Sequence, residues 1–429
     1  MRNLANVFGL AVWVGVLSVA GAPKTDEHAR DLYAQLAQAQ AGKNLERVEQ
    51  IAREMETLLG ERAGVPEEPT QYQSVSDAAR PLTKSEVLTG YNAYLTRLQK
   101  SGESWWLKPI AATEIPAPLR FVASVVSGSL AARRAGCQGP ERLMEIACQA
   151  GEYLRKAQQE AGNGVFPFPA WRGKSGRLGM LSERFLRRAE QEGILNQVTT
   201  NGWMRDDRGG GDLYFDNGLC GVALLDLFEA TKETKWLSSA RAAADWAAAQ
   251  PVVPNWNYNS FSVYLLAEAF RVTGQSNYLA AAKEKARLGI YPGQLRHGPH
   301  SGLWADPHNA KPAYHYILCR GMAALLKVLP ANDPDWPRCR ETLERALLVR
   351  NLELLNHGLT NPDTVMEVLA LLELRFPDGD SRLASVKRKE ALDLVARHAS
   401  ERLRQGHLPV SPFAWGLYLE SLAASRGRP

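Results

Sequence analysis

The residues best suited to chemistry gather in two stretches. The first is Asn201 to Phe228, NGWMRDDRGGGDLYFDNGLCGVALLDLF, with Asp206, Asp207, Asp212 and Asp216 close together. Neighbouring carboxyl groups can do general acid–base work on a glycosidic bond, one protonating the leaving oxygen while another activates water. Gly209, Gly210 and Gly211 give that loop unusual backbone freedom. Asp216 and Asn217 also stand where they would cap the apolar helix that follows, so Asp206 and Asp207 are the preferred acids. The second stretch holds His297, His300, Asp306, His308, Asn309, Tyr314, His315 and Tyr316. Imidazole and phenol groups can remove and return a proton, and an amide can steady a carboxylate. Those are the types that elimination at a uronic acid requires: Asn309, His308 or His315, and Tyr314. The irregular spacing of the histidines lacks a signature such as HExxH, so neither a metal site nor a cofactor is expected.

Long helices must position both stretches. The chain has 429 residues, 45% hydrophobic and 23% charged, as a folded globular protein does. Its net charge of +5 is spread along the chain and does not point to nucleic acid. Arg2, the apolar run Leu4 to Ala20 and the small-x-small ending Ser18-Val19-Ala20 read as a secretory signal, residues 1–20, which predicts export to a periplasmic or extracellular space. No later apolar run is long enough to span a bilayer, so no membrane contact is expected beyond the signal. Residues 21–81 read as a helical extension and a Pro- and Glu-rich linker. The odd set Cys137, Cys148, Cys220, Cys319 and Cys339 leaves pairing open.

From residue 82 to 429 a unit recurs: a rich loop, an apolar helix, a short polar turn and an amphipathic helix. Tyr214–Ala249 and Trp256–Gly289 superimpose in sequence, laying Asn217 on Asn259, Thr231 on Thr273 and Trp236 on Tyr278, with turns ATKETKWL and VTGQSNYL. Such a repeat marks stacked helical hairpins. Six helices are apolar nearly all round, as an inner ring requires, and the unpaired last one, Phe413–Leu422, would find its partner in Ser85–Gln99. The expected fold is therefore all-α, an (α/α)6 toroid of helical hairpins with an N-terminal helical extension; an open solenoid is the alternative. Every loop entering an inner helix then lies on one face, where helix N-termini converge and favour an anion. Arg205 lies in these loops, and Trp171, Trp203, Trp256 and Trp304 could stack on sugar rings there or simply pack the loops. With Asp216, Asn217, Asn259 and Asn309 these make up the expected binding residues.

The stretch GDLYFDNGLCGVALLDLFEATKETKWLSSARAAADW resembles the hairpin repeat of six-hairpin (α/α)-toroid carbohydrate-active enzymes, among them unsaturated glucuronyl hydrolases and uronate polysaccharide lyases. The likeness extends by pattern over Leu119 to Leu422. It implies an enzyme acting on an acidic oligo- or polysaccharide, a lyase first because His, Tyr and Asn gather before one inner helix. A hydrolase of the unsaturated glucuronyl type, using an Asp to protonate a vinyl ether, is the second reading. A toroid that binds glycans without cleaving them is the third.

Overall fold

The repeat is visible in the smallest details of the chain. Two helices of 18 residues, α8 (Tyr214–Thr231) and α10 (Trp256–Thr273), end in the same way. Lys232 and Gly274 both take left-handed backbone, and their N–H groups donate to the carbonyls of Phe228 and Phe270 at 2.7 Å. Thr231 and Thr273 each turn a hydroxyl back onto the carbonyl four residues earlier, at 2.8 and 2.6 Å. Trp236 and Tyr278 then anchor the returning helices α9 (Thr234–Ala249) and α11 (Ser276–Gly289), both fully buried.

The same plan, repeated, closes a ring. The computed structural model describes residues 27–76, 79–100, 104–137, 139–377, 380–407 and 411–426; the signal expected over residues 1–20 lies outside them. The inner helices are α4 (Leu119–Arg134), α8, α10, α12 (Pro312–Val328), α14 (Pro362–Arg375) and α16 (Pro412–Arg426). Each packs on the next, and α16 returns onto α4. Outside them lie α5 (Pro140–Ala161), α9, α11, α13 (Trp336–His357) and α15 (Arg388–Arg404). The sixth outer helix is α3 (Lys84–Lys100), which comes first in the chain and packs on α16. An open solenoid would have left α16 and α4 apart.

Ring closure brings backbones close together. A Cβ on Gly218 of α8 would sit 2.7 Å from the carbonyl oxygen of Phe261 in α10, and one on Gly321 of α12 would sit 2.6 Å from that of Ser260. Only glycine lets neighbouring inner helices approach so far. The inner helices are apolar on most sides because they are covered on most sides: α8 buries Cys220, Val222, Ala223, Leu224, Leu225 and Leu227.

The N-terminal extension shares this core. Helices α1 (Glu27–Ala41) and α2 (Leu45–Leu59) bury Leu32, Tyr33, Leu36, Val48, Ile51 and Met55 in the same apolar cluster as the ring. The stretch after them reaches the loop between α13 and α14, with Gln73 exchanging backbone hydrogen bonds with Leu359 at 2.7 and 2.8 Å. All five cysteines are free thiols. Among the described residues no helix is long and apolar enough to cross a membrane.

One feature departs from the all-helical expectation. The segment between α5 and α8 carries α6 (Gly176–Gln191), the single turn α7 (Leu195–Val198) and three two-residue strands. These are β1 (Phe168–Pro169), β2 (Thr199–Thr200) and β3 (Trp203–Met204), antiparallel in the order β1-β3-β2, with Phe168 opposite Met204 and Thr199 opposite Met204 on the other side. Strands this short are too brief for the polar–apolar alternation that marks a strand in sequence.

Candidate active site at the mouth of the ring

Inner helices are walled by outer helices behind and by each other at the sides. Near their N-termini Arg120 and Ser124 on α4, Phe215 and Leu219 on α8, Tyr258 on α10, Tyr314 on α12, and Asp363 and Glu367 on α14 keep partial exposure. They come from five different hairpins, and only the closed ring gathers them. Contacts of Arg120 with Phe215, of Phe215 with Phe261, and of Arg320 with Phe261 and Glu367 join five inner helices.

Arg120 is tied most firmly. Its backbone N–H donates to Asp216 Oδ1 at 2.9 Å and its Nη1 to Oδ2 at 2.5 Å. Its guanidinium lies 4.1 Å over the ring of Phe215, which stacks on Phe261 at the same distance. Burial pushes the Asp216 carboxyl up from its ordinary value, and the charge and hydrogen bonds of Arg120 hold it back. Beside them the Tyr258 hydroxyl donates to Asp212 Oδ1 at 3.2 Å. Across the mouth the ring of Tyr314 lies 4.6 Å from the His308 imidazole. Deeper on the axis, Arg320 of α12 is ion-paired with Glu367 of α14 and lies over the rings of Phe261 and Tyr264 at 5.5 and 5.1 Å. Burial raises the Glu367 carboxyl while Arg320 restrains it. One turn above, burial first and the charge of Glu367 second push Asp363 up to about 6.

Several expected residues stand elsewhere. His315 is buried and faces outward: its Nε2 lies 2.9 Å from the carbonyl of Ala346 in α13, and burial pushes its imidazole well below the ordinary value, so it stays neutral. It occupies the fourth position of α12, as Asn217 does in α8 and Asn259 in α10. Asn217 accepts from Phe166 N at 3.0 Å and donates to Ala243 O at 3.0 Å. Asn259 accepts from Val253 N and donates to the carbonyls of Val253, Asn255 and Gly289. All three side chains tie an inner helix to its surroundings behind the ring, away from the mouth.

The four tryptophans are buried too. Trp203 donates to Glu160 Oε2 and Trp304 to Ile290 O, each at 2.8 Å. Trp256 lies against Gly293, where a Cβ would come within 2.3 Å of the indole. Trp171 packs edge-on to Phe168. Large rings fill the gaps between loops and helices, where their burial counts most. The aromatic faces reached from the axis are instead Phe215, Tyr258 and Tyr314.

The remaining expected residues organise loops. Asp207 is buried, accepting from Gly209 N at 3.1 Å and Leu213 N at 2.9 Å, and burial and the nearby Asp212 push it up to about 7. Asp206 is half-buried and accepts from Arg208 N at 2.7 Å. Arg205 donates to Gln197 O at 3.2 Å. Asn309 is buried, accepting from Asn257 and donating to Asp306. His308 is buried with its backbone N on Asp306, and only its ring reaches Tyr314. Among the described residues no three His, Cys, Asp or Glu side chains are grouped to hold a metal ion.

Arg120, Phe215, Tyr258, Asp363 and Glu367 were not singled out in sequence. Their signal is positional: each lies on the axial side of an inner helix, and Asp363 and Glu367 are one turn apart on α14, hence on one face.

No family model and no curated protein matches this chain. Among solved structures, 80% of it aligns with 97% of a polysaccharide lyase at 14% identity and a TM-score of 0.46. The same share aligns with 99% of a glycosyl hydrolase family 88 protein from Bacteroides vulgatus, at 11% identity and a TM-score of 0.47. A mutant unsaturated glucuronyl hydrolase from Streptococcus agalactiae aligns over 83% of this chain and 96% of its own, at 12% identity and a TM-score of 0.45. All three scores lie below 0.5, and the ring itself rests on the helix packing described above.

Proposed function

We propose that this protein is a carbohydrate-active enzyme that cleaves a glycosidic bond of an acidic glycan held in the mouth of the ring, and that hydrolysis is its reaction. The observation that carries this reading is the make-up of the mouth. Its proton-handling groups are mostly carboxyls, set among the aromatic faces of Phe215, Tyr258 and Tyr314. Carboxyl groups near a sugar-stacking surface are what glycosidic hydrolysis uses. The charges of Arg120 and Arg320 are matched by Asp216 and Glu367. A substrate carboxylate is therefore favoured mainly by the six converging helix N-termini.

Elimination is the second reading, favoured by the contact of Tyr314 with the His308 ring. It is weakened because His315 points outward and Asn309 is engaged with Asn257 of α10 and with Asp306. Export follows from the signal read over residues 1–20, and would leave a mature chain beginning at Gly21.

The test is incubation with oligosaccharides of pectate, alginate and glycosaminoglycans, including their unsaturated forms. New reducing ends without new ultraviolet absorbance, or loss of absorbance from unsaturated oligosaccharides, support hydrolysis. A rise in absorbance supports elimination. Binding with no turnover would reduce the protein to a glycan-binding toroid.

A further inference from the structure

We propose that Asp363 is the group that hands a proton to the glycosidic oxygen, and that the Glu367–Arg320 pair beneath it positions it for that step. This rests on the reading of the mouth as a glycan-cleaving site and assigns the acid within it.

The first ground is placement. Asp363 and Glu367 are one turn apart on α14, so their side chains share a face, and both keep partial exposure although α12, α15 and α16 enclose the helix. On that face Glu367 meets Arg320 of α12, which itself lies over Phe261 and Tyr264 of α10. The second is partnership. Glu367 is ion-paired with Arg320, whereas among the described residues the Asp363 carboxyl makes no hydrogen bond or ion pair. It is an acid in the first turn of its helix, yet it caps no backbone N–H. The third is Arg320, 3% exposed, whose Nε has no hydrogen-bond partner. A buried guanidinium with a donor left over beside the Glu367 carboxyl marks a place built to receive another polar group.

The two carboxyls have different surroundings. From α12 the group facing them is Arg320. From α16 the first two turns, Pro412 to Leu419, carry no charge. On α15, Arg388 donates to the carbonyls of Leu372 and Phe376 at the far end of α14, and the returning end carries His398, Glu401, Arg402 and Arg404, the last paired with Glu86. Across the mouth stand Tyr314 and the Arg120–Asp216 pair. Burial raises the Glu367 carboxyl and Arg320 restrains it, while burial first and the charge of Glu367 second push Asp363 up to about 6. Among the described residues only Glu367 of the two has a cation to pair with, so the carboxyl free to give up a proton is that of Asp363.

The step balances simply. The Asp363 O–H proton moves to the glycosidic oxygen as the bond from that oxygen to the sugar carbon breaks, and the bonding pair stays on the oxygen. Water adds its oxygen to the carbon, and its released proton restores the Asp363 carboxyl.

The test compares wild type, Asp363→Asn and Glu367→Gln on the acidic oligosaccharide turned over fastest, and on p-nitrophenyl glucuronide, whose leaving group needs little protonation. Asp363→Asn should cut kcat on the oligosaccharide at least about 100-fold, with KM changed little and a smaller loss on the aryl glycoside. Wild-type kcat should decline as pH rises through about 6. In Glu367→Gln that limb should move to lower pH, because a negative neighbour is gone and Arg320 is released towards Asp363. Asp363→Asn within about tenfold of wild type, or an unmoved limb in Glu367→Gln, would overturn the assignment and leave the glycan-cleaving reading standing. A wild type that turns over none of the glycans would overturn both.

Discussion

Replacing Asp207 with Asn tests the loop that leads into α8 without needing a substrate. Asp207 is buried, and its two oxygens accept the N–H groups of Gly209 and Leu213. Burial first, and the nearby Asp212 second, lift its carboxyl from 3.8 to about 7. At about 1.4 kcal/mol for each pH unit, ionising it in the folded chain costs ~4 kcal/mol more than in the unfolded chain. The sign follows from linkage: a folded state that holds a proton more tightly than the unfolded state loses stability as pH rises between the two values. The contribution is thus greatest below about pH 4 and is lost by about pH 7. Asn never ionises, so it escapes that loss, but its NH2 faces one of the two backbone donors, leaving a buried group unpaired for about 1–3 kcal/mol. Asp207→Asn should therefore be less stable than wild type in acid and equal or more stable at pH above 7. Asp226, Asp306 and Asp363, all raised to about 6, are common to both chains and cancel in the difference. Urea denaturation of both proteins across this range measures it. A difference that stays constant with pH would refute the reasoning.

Asn259→Ala should lower stability by about 2–4 kcal/mol, because it strips the partner from Val253 N and from three carbonyls; thermal denaturation reads it. Gly321→Ala should cost at least about 2 kcal/mol by the same measurement, since its Cβ would stand 2.6 Å from the Ser260 carbonyl. Trp304→Phe should lower the melting temperature yet leave the KM for an acidic oligosaccharide unchanged, as its indole N–H is bonded within the core. Phe215→Ala, by contrast, should raise that KM several-fold.

Much of the fold was legible because it repeats. Apolar helices of one period, the matched turns after Thr231 and Thr273, and an unpaired last helix were enough to expect six hairpins and the pairing of α3 with α16. The equivalence of Asn217 and Asn259 was legible too, and the structure shows its use: both brace an inner helix from behind, and His315 stands at the same helical position. That is why the richest loop residues misdirect attention from the mouth. Tryptophans, asparagines and glycine-flanked acids are chosen there for holding long loops onto a rigid ring, and sequence alone does not separate bracing from binding. Asp363 was illegible for the opposite reason. An acid in the first turn of a helix looks like a partner for the helix dipole, and only the closed ring shows that its carboxyl is left without a backbone donor. Arg120 was hidden likewise, its partner Asp216 lying in another hairpin.

The most direct test of the mouth as the site is a crystal structure of Asp363→Asn soaked with an acidic oligosaccharide. Sugar rings against Phe215, Tyr258 and Tyr314, with a glycosidic oxygen within hydrogen-bond reach of residue 363, are expected. A glycan bound only on the outer surface, with the axis empty, would contradict it.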